Sequence, residues 1–168
     1  MIFRWIKAIV LLPLNALVFI PAVIVWASGE RLSVAGGWRL STGVVLLAAG
    51  LSLALWTMAL FNRIGKGTAA PWDPPKKLVV AGPYRHVRNP MLTSVFIMLI
   101  AEVLLTGSTA VAVWFAVFLC VNMLYFPLVE EKELLRRFGD DYARYKANVP
   151  RYIPRLTPWD GNGKTAQK

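Results

Sequence analysis

The chain has 168 residues, suited to one domain; 57% are hydrophobic and 17% charged, and the mean hydropathy is +0.52. That composition excludes an ordinary soluble domain, and one cysteine and one histidine exclude a disulfide framework, a zinc cluster and a multi-histidine metal site. The formal net charge of +10 sits in blocks between apolar runs. It therefore fits basic loops against anionic lipid better than a nucleic-acid-binding surface.

The first apolar stretch runs from about Trp5 to Ala27, preceded by Arg4 and interrupted by Lys7. It exceeds the apolar region of a signal peptide, about 7–15 residues, so it reads as a retained span bent by Pro13 and Pro21. A short polar link, Ser28 to Gly37, leads to a second span over about 38–61. Next comes a segment rich in glycine, proline and basic residues, Asn62 to Asn89. The third span, about 91–105, is short. Gly107 and Ser108 form a tight turn, and the fourth run covers about 109–129. This run continues as an amphipathic helix. The tail after Tyr152 carries two prolines and reads as irregular, ending in a frayed polar segment.

About 20 helical residues cross a hydrocarbon core of about 30 Å. Spans one, two and four meet that length, and span three is marginal. The expectation is an all-α polytopic membrane protein with four transmembrane helices and a cytoplasmic C-terminal helix and tail, 130–168. All of 1–168 is expected to form one membrane-embedded domain. Seventeen lysines and arginines fall on the side of the two termini and the Asn62–Asn89 segment, against two on the other side. The positive-inside rule therefore puts both termini in the cytoplasm.

Two unusual segments then share the cytoplasmic face. One is Gly82-Pro83-Tyr84-Arg85-His86-Val87-Arg88-Asn89-Pro90, leading into span three. The other is Glu130-Glu131, at the end of span four. The two-residue turn between these spans predicts a tight helical hairpin that brings the segments together. Further along stand Phe138-Gly139, Tyr142, Tyr145, Val149-Pro150-Arg151 and Ile153-Pro154. In order and spacing, these pieces resemble the isoprenylcysteine carboxyl methyltransferase and phospholipid methyltransferase superfamily of integral membrane enzymes, over about residues 60–156. Asn89 stands where that family often has histidine, and Leu92 where it has tyrosine.

The resemblance implies an S-adenosylmethionine-dependent methyltransferase in a membrane, with a lipophilic acceptor entering from the bilayer; the compact chain makes a bacterial inner membrane the expected setting. It places the cofactor against Val79, Val80, Gly82, Tyr84, Arg88, Asn89, Pro90, Glu130 and Glu131. Leu92, Tyr142 and Tyr145 fall at the acceptor. The chemistry of these residues agrees. The cofactor carries a sulfonium, an ammonium and a carboxylate. The glutamate pair suits the cations, and Arg88 suits the carboxylate. Methyl transfer relies mainly on in-line placement; Arg88 and Glu131 are the candidate catalytic residues, and one glutamate of the pair can also accept a proton from the acceptor. Metal ligands are not expected.

Blander readings stand beside these. The glutamates can open a solvated helix beside Lys132 and Arg136. Arg88 can be an interfacial anchor, and Tyr142 and Tyr145 interface aromatics. Gly65-Lys66-Gly67-Thr68 lacks the spacing of a phosphate loop and is closer to a glycine element of phospholipid methyltransferases. His86 reads as a loop residue. Glu102 lies about 11 residues into span three, roughly 16 Å deep, where a carboxylate is functional, reaches outer water or is a protonated packing residue. The competing functional classes are an NADPH-dependent membrane reductase, since sterol reductases have a similar membrane architecture, and a non-catalytic lipid-binding protein.

Overall fold

Prolines set the geometry of the first helix in the computed structural model, which describes residues 13–30, 33, 35–68 and 74–161. Helix α1 (Asn15–Ser28) opens with a π-helical turn, Asn15–Phe19, in which the Ile20 amide reaches back to the Asn15 carbonyl. Pro21 has no N–H to continue that pattern, so the Ala16 carbonyl is left open. The indole of Trp114 donates to it at 2.9 Å. The proline expected to bend the span thus also creates an attachment point for a later helix. The part of the expected first span that precedes residue 13 lies outside the described residues.

Helix α2 (Gly37–Gly65) ends in a second π-helical turn, Phe61–Gly65, and Lys66 then takes a left-handed φ of 53°. Helix α3 (Pro90–Thr106) starts with proline at its first turn, where no N–H is needed. The Asn89 side chain caps it by accepting from the Leu92 amide at 3.1 Å. Gly107, at φ 63°, stops it. Ser108 then caps helix α4 (Thr109–Tyr125), accepting from the Val111 amide at 3.1 Å. The Glu30 carboxylate joins this cap, accepting from the Ser108 hydroxyl and the Ala110 amide. A negative charge is stabilised there by the helix dipole.

A π-helical turn, Phe126–Glu130, joins α4 to helix α5 (Glu131–Asn148). Pro127 breaks the α-helical ladder and frees the Met123 carbonyl, which accepts the Tyr152 hydroxyl at 3.1 Å. Within α5 the backbone kinks at Gly139 (φ 54°, ψ −129°). No strand occurs among the described residues, and the fold is all-helical. Two continuous helical stretches, Gly37–Gly65 and Thr109–Asn148, are long and apolar enough to cross a membrane; α1 and α3 are shorter apolar helices.

The tightest pairing joins α2 to α3. Gly43, Gly50, Ala54 and Thr57 are buried on one face of α2. A Cβ added at Gly50 would lie 2.6 Å from Met98 Cγ, and one at Gly43 2.7 Å from Leu105. Small residues let these backbones approach, as membrane helices require. The expected hairpin turn is present, but α3 packs far more extensively on α2 than on α4. Outward faces of α2 and α4 are apolar and exposed, including Trp38, Leu51, Leu55, Val117, Val121 and Leu124.

The frayed end expected for the tail, 162–168, lies outside the described residues; up to Gly161 the tail is held in place. It runs along the Tyr84–Arg88 loop: Arg88 N–H donates to the Pro150 carbonyl, Arg155 N–H to His86, and Trp159 N–H to Arg85, each at 3.0 Å. The Arg85 Nε donates to the Trp159 carbonyl at 2.6 Å, and His86 Nδ1 lies 2.7 Å from the Arg155 carbonyl. These bonds explain why a proline-rich segment holds one path.

Candidate active site

A cavity of about 640 Å³ is bounded by α1 to α5 and the loop before α3. Its walls are mainly apolar, with polar groups supplied from one end. The loop enters the site through Gly82, whose φ of 54° suits glycine. A Cβ there would also meet Trp56 and Leu60 at 3.0–3.2 Å. The following 3₁₀ turn, Gly82–Arg85, buries Tyr84. Its ring lies 5.5 Å from that of Phe61, and its carbonyl accepts the Tyr145 hydroxyl at 2.7 Å.

The π-helical turn ahead of α5 divides the glutamate pair. Glu131 is 2% exposed and does not line the cavity. Among the described residues it meets three cations. Arg151 binds it through two nitrogens, at 2.7 and 3.0 Å; Lys146 Nζ lies at 2.8 Å and Arg88 Nη2 at 3.2 Å. Burial pushes its carboxyl up, but the hydrogen bonds from Arg151 and Lys146 and the charge of Arg88 outweigh this and hold it below the usual range. Glu130 lines the cavity and has no ion pair among the described residues. Burial, reinforced by the charge of Glu131, pushes its carboxyl up to about 7.

Arg88 spends one nitrogen on Glu131. Its Nε and Nη1, with the hydroxyls of Tyr84 and Tyr142, are buried without hydrogen-bond partners among the described residues. All three residues line the cavity. Leaving such a group unpaired costs about 1–3 kcal/mol. Four of them at one cavity mark a place built to receive polar groups. Burial raises the Tyr84 and Tyr142 hydroxyls above the ordinary phenol range, so both remain protonated donors at neutral pH.

Of the residues singled out from the sequence, Val79, Tyr84, Arg88, Asn89, Glu130, Leu92, Tyr142 and Tyr145 line this cavity. Asn89 and Pro90 serve the start of α3, Asn89 as its cap. Gly82 supports the loop from behind. Val80 lines a second cavity, of about 460 Å³, with Lys76, Lys77 and Arg144. Gly65 and Gly67 lie outside both cavities. Gly67 is needed for close packing, since a Cβ there would lie 2.6 Å from the Pro74 carbonyl oxygen. His86 is a loop residue that holds the tail. Sequence reasoning did not single out Lys146 and Arg151 as partners of Glu131, nor Asn122 in the cavity wall. Pro127, just before the glutamates, was the available signal for the turn that divides them.

Residues 38–141 match the model of the phospholipid methyltransferase family. The match spans more than half of the chain, and the chain belongs to that family. It begins earlier than the resemblance over 60–156 and stops before the Val149–Pro154 segment. No curated protein and no solved structure matches. Membership implies methyltransferase activity toward lipid-like substrates. The apolar helices are compatible with a membrane location.

Proposed function

We propose that the protein is an S-adenosylmethionine-dependent methyltransferase acting on a lipophilic acceptor at the cytoplasmic face of a membrane. The observation that carries this reading is the set of buried groups on Tyr84, Arg88 and Tyr142 that have no partner among the described residues and line one cavity with Glu130, which has no ion pair among them. These groups fit the cofactor's chemistry. The Arg88 nitrogens suit its carboxylate, Glu130 its cationic end, Tyr84 and Tyr142 its hydrogen-bond acceptors, and Val79 its adenine. When bound, the cofactor supplies an electrophilic methyl group on a sulfonium.

The protein's own contribution is placement. Glu131 fixes Arg88, the loop fixes Tyr84, and the apolar walls exclude water and align the acceptor. A deprotonated Glu130 also stands where it can take a proton from the acceptor. Glu131, surrounded by cations, is better suited to holding Arg88 than to accepting a proton. Leu92, Tyr142 and Tyr145 contribute wall for the acceptor, which enters sideways from the bilayer. The whole chain acts as one domain with four spans and both termini cytoplasmic, set in a bacterial inner membrane.

Isothermal titration with S-adenosylhomocysteine tests the reading. The expected result is saturable binding in nanodiscs that Arg88→Ala weakens at least about tenfold, the scale of losing a charge-assisted pair. No binding in nanodiscs or in several detergents would overturn it.

A further inference from the structure

Asn122 lies in the apolar run of α4 and lines the membrane-side part of the cavity. Its neighbours in that wall include Ala16, Val95, Met98, Phe118 and Phe126. Polar side chains within a span are costly and are functional until shown otherwise. The side-chain Nδ2 donates to the Phe118 carbonyl at 2.8 Å, one turn back. A carbonyl can face only the NH₂ end of an amide, so this contact fixes which end is nitrogen. Oδ1 is then the end left over, and no described residue donates to it. Ser94, another polar residue of the cavity wall, turns its hydroxyl onto the Met91 carbonyl at 2.6 Å. The Asn122 oxygen is therefore an acceptor without a partner among the described residues, on a residue that lines the cavity.

Asn122 precedes Glu130 by eight residues, roughly 12 Å along the helix. We propose that Asn122 is a specificity-determining residue that selects an amphiphile bearing a hydrogen-bond donor, a hydroxyl or an amide N–H, between its head group and its chain. The inference rests on the proposed acceptor cavity but not on catalysis. A site that supplies an acceptor disfavours a ligand without the matching donor, because the Asn122 oxygen is then left unpaired in a dry wall.

The test compares lipid co-purified with the wild-type protein and with Asn122→Leu, expressed in the same membranes and quantified by mass spectrometry against bulk lipid. Asn122→Ala serves as a second variant, smaller rather than isosteric. The expected result is enrichment of hydroxyl- or amide-bearing lipids on the wild type by about fivefold, the ratio given by one net hydrogen bond, and return to the bulk ratio in both variants. Unchanged enrichment in the variants, or none on the wild type, would overturn the proposal. Titration with S-adenosylhomocysteine separates it from the cofactor reading. Both variants should retain wild-type affinity. Failure of all three proteins to bind it would sink the cofactor reading while the lipid comparison still decides the role of Asn122.

Discussion

Replacing Glu131 with glutamine removes the charge shared by Arg88, Lys146 and Arg151. Arg88, 8% exposed at its side chain, is then left without its counter-charge. Breaking a buried pair on one side costs about 3–5 kcal/mol. Denaturant unfolding of Glu131→Gln should show a loss of that order, whereas Glu130→Gln, which breaks no pair, should unfold like the wild type. The reverse holds for ligand binding. Glu130 has its carboxyl pushed up to about 7 and is mostly neutral in mild acid. Affinity for S-adenosylmethionine should therefore rise as pH increases through about 7, because only the ionised form attracts the cationic end. Glu131, held below the usual range, stays ionised throughout and contributes nothing to that profile. Titration at several pH values checks the sign, and Glu130→Gln should flatten the curve. The pair itself was legible in the sequence. Its division was not, because it depends on the π-helical turn at Pro127 and on three cations from separate places in the chain.

At the scale of elements, the α2–α3 contact fixes the wall against which the cavity forms. Gly50→Leu would drive a side chain into Met98 and the Ser94 carbonyl. Overpacking of this kind costs about 1–3 kcal/mol. Gly36→Ala, with open space around it and an ordinary extended backbone, meets no clash and should cost less, at most the loss of a glycine N-cap, under about 1 kcal/mol. Thermal unfolding of the two variants in one detergent measures the difference. Hydropathy and caps placed these elements well: the expected spans at 38–61, 91–105 and 109–129 lie within a few residues of the observed helices. Their ends are marked by Gly107, Ser108 and Pro90, whose backbone preferences are local. The tail was read less well. Pro150, Pro154 and Pro158 exclude helix but say nothing of where an irregular segment goes. Its path is set by backbone bonds to Arg85, His86 and Arg88, which no pattern in the tail announces. Tyr152→Phe removes the hydroxyl that occupies the Met123 carbonyl. It should raise amide hydrogen exchange in residues 126–131, measured by mass spectrometry, while leaving α2 and α3 protected.

For the whole molecule, the proposed orientation rests on the asymmetry of seventeen basic residues against two. The structure groups the cavity's charged residues, Lys77, Arg88, Glu130, Glu133 and Arg137, at or beyond the ends of α3 and α4 that lie opposite the Gly107-Ser108 turn. A cofactor dissolved in the cytoplasm can reach those residues only if that end faces inward, so topology and mechanism are one claim. It can be tested with single cysteines. Cys120 is the sole native cysteine, so Cys120→Ser gives a blank background. Thr109 and Ala143 are exposed, Thr109 at the start of α4 and Ala143 beyond its end. In intact cells, a membrane-impermeant maleimide should label Thr109→Cys directly and Ala143→Cys only after permeabilisation. The opposite pattern would place the polar end of the cavity outside, away from the only compartment that supplies S-adenosylmethionine, and the cofactor reading would fall with the orientation.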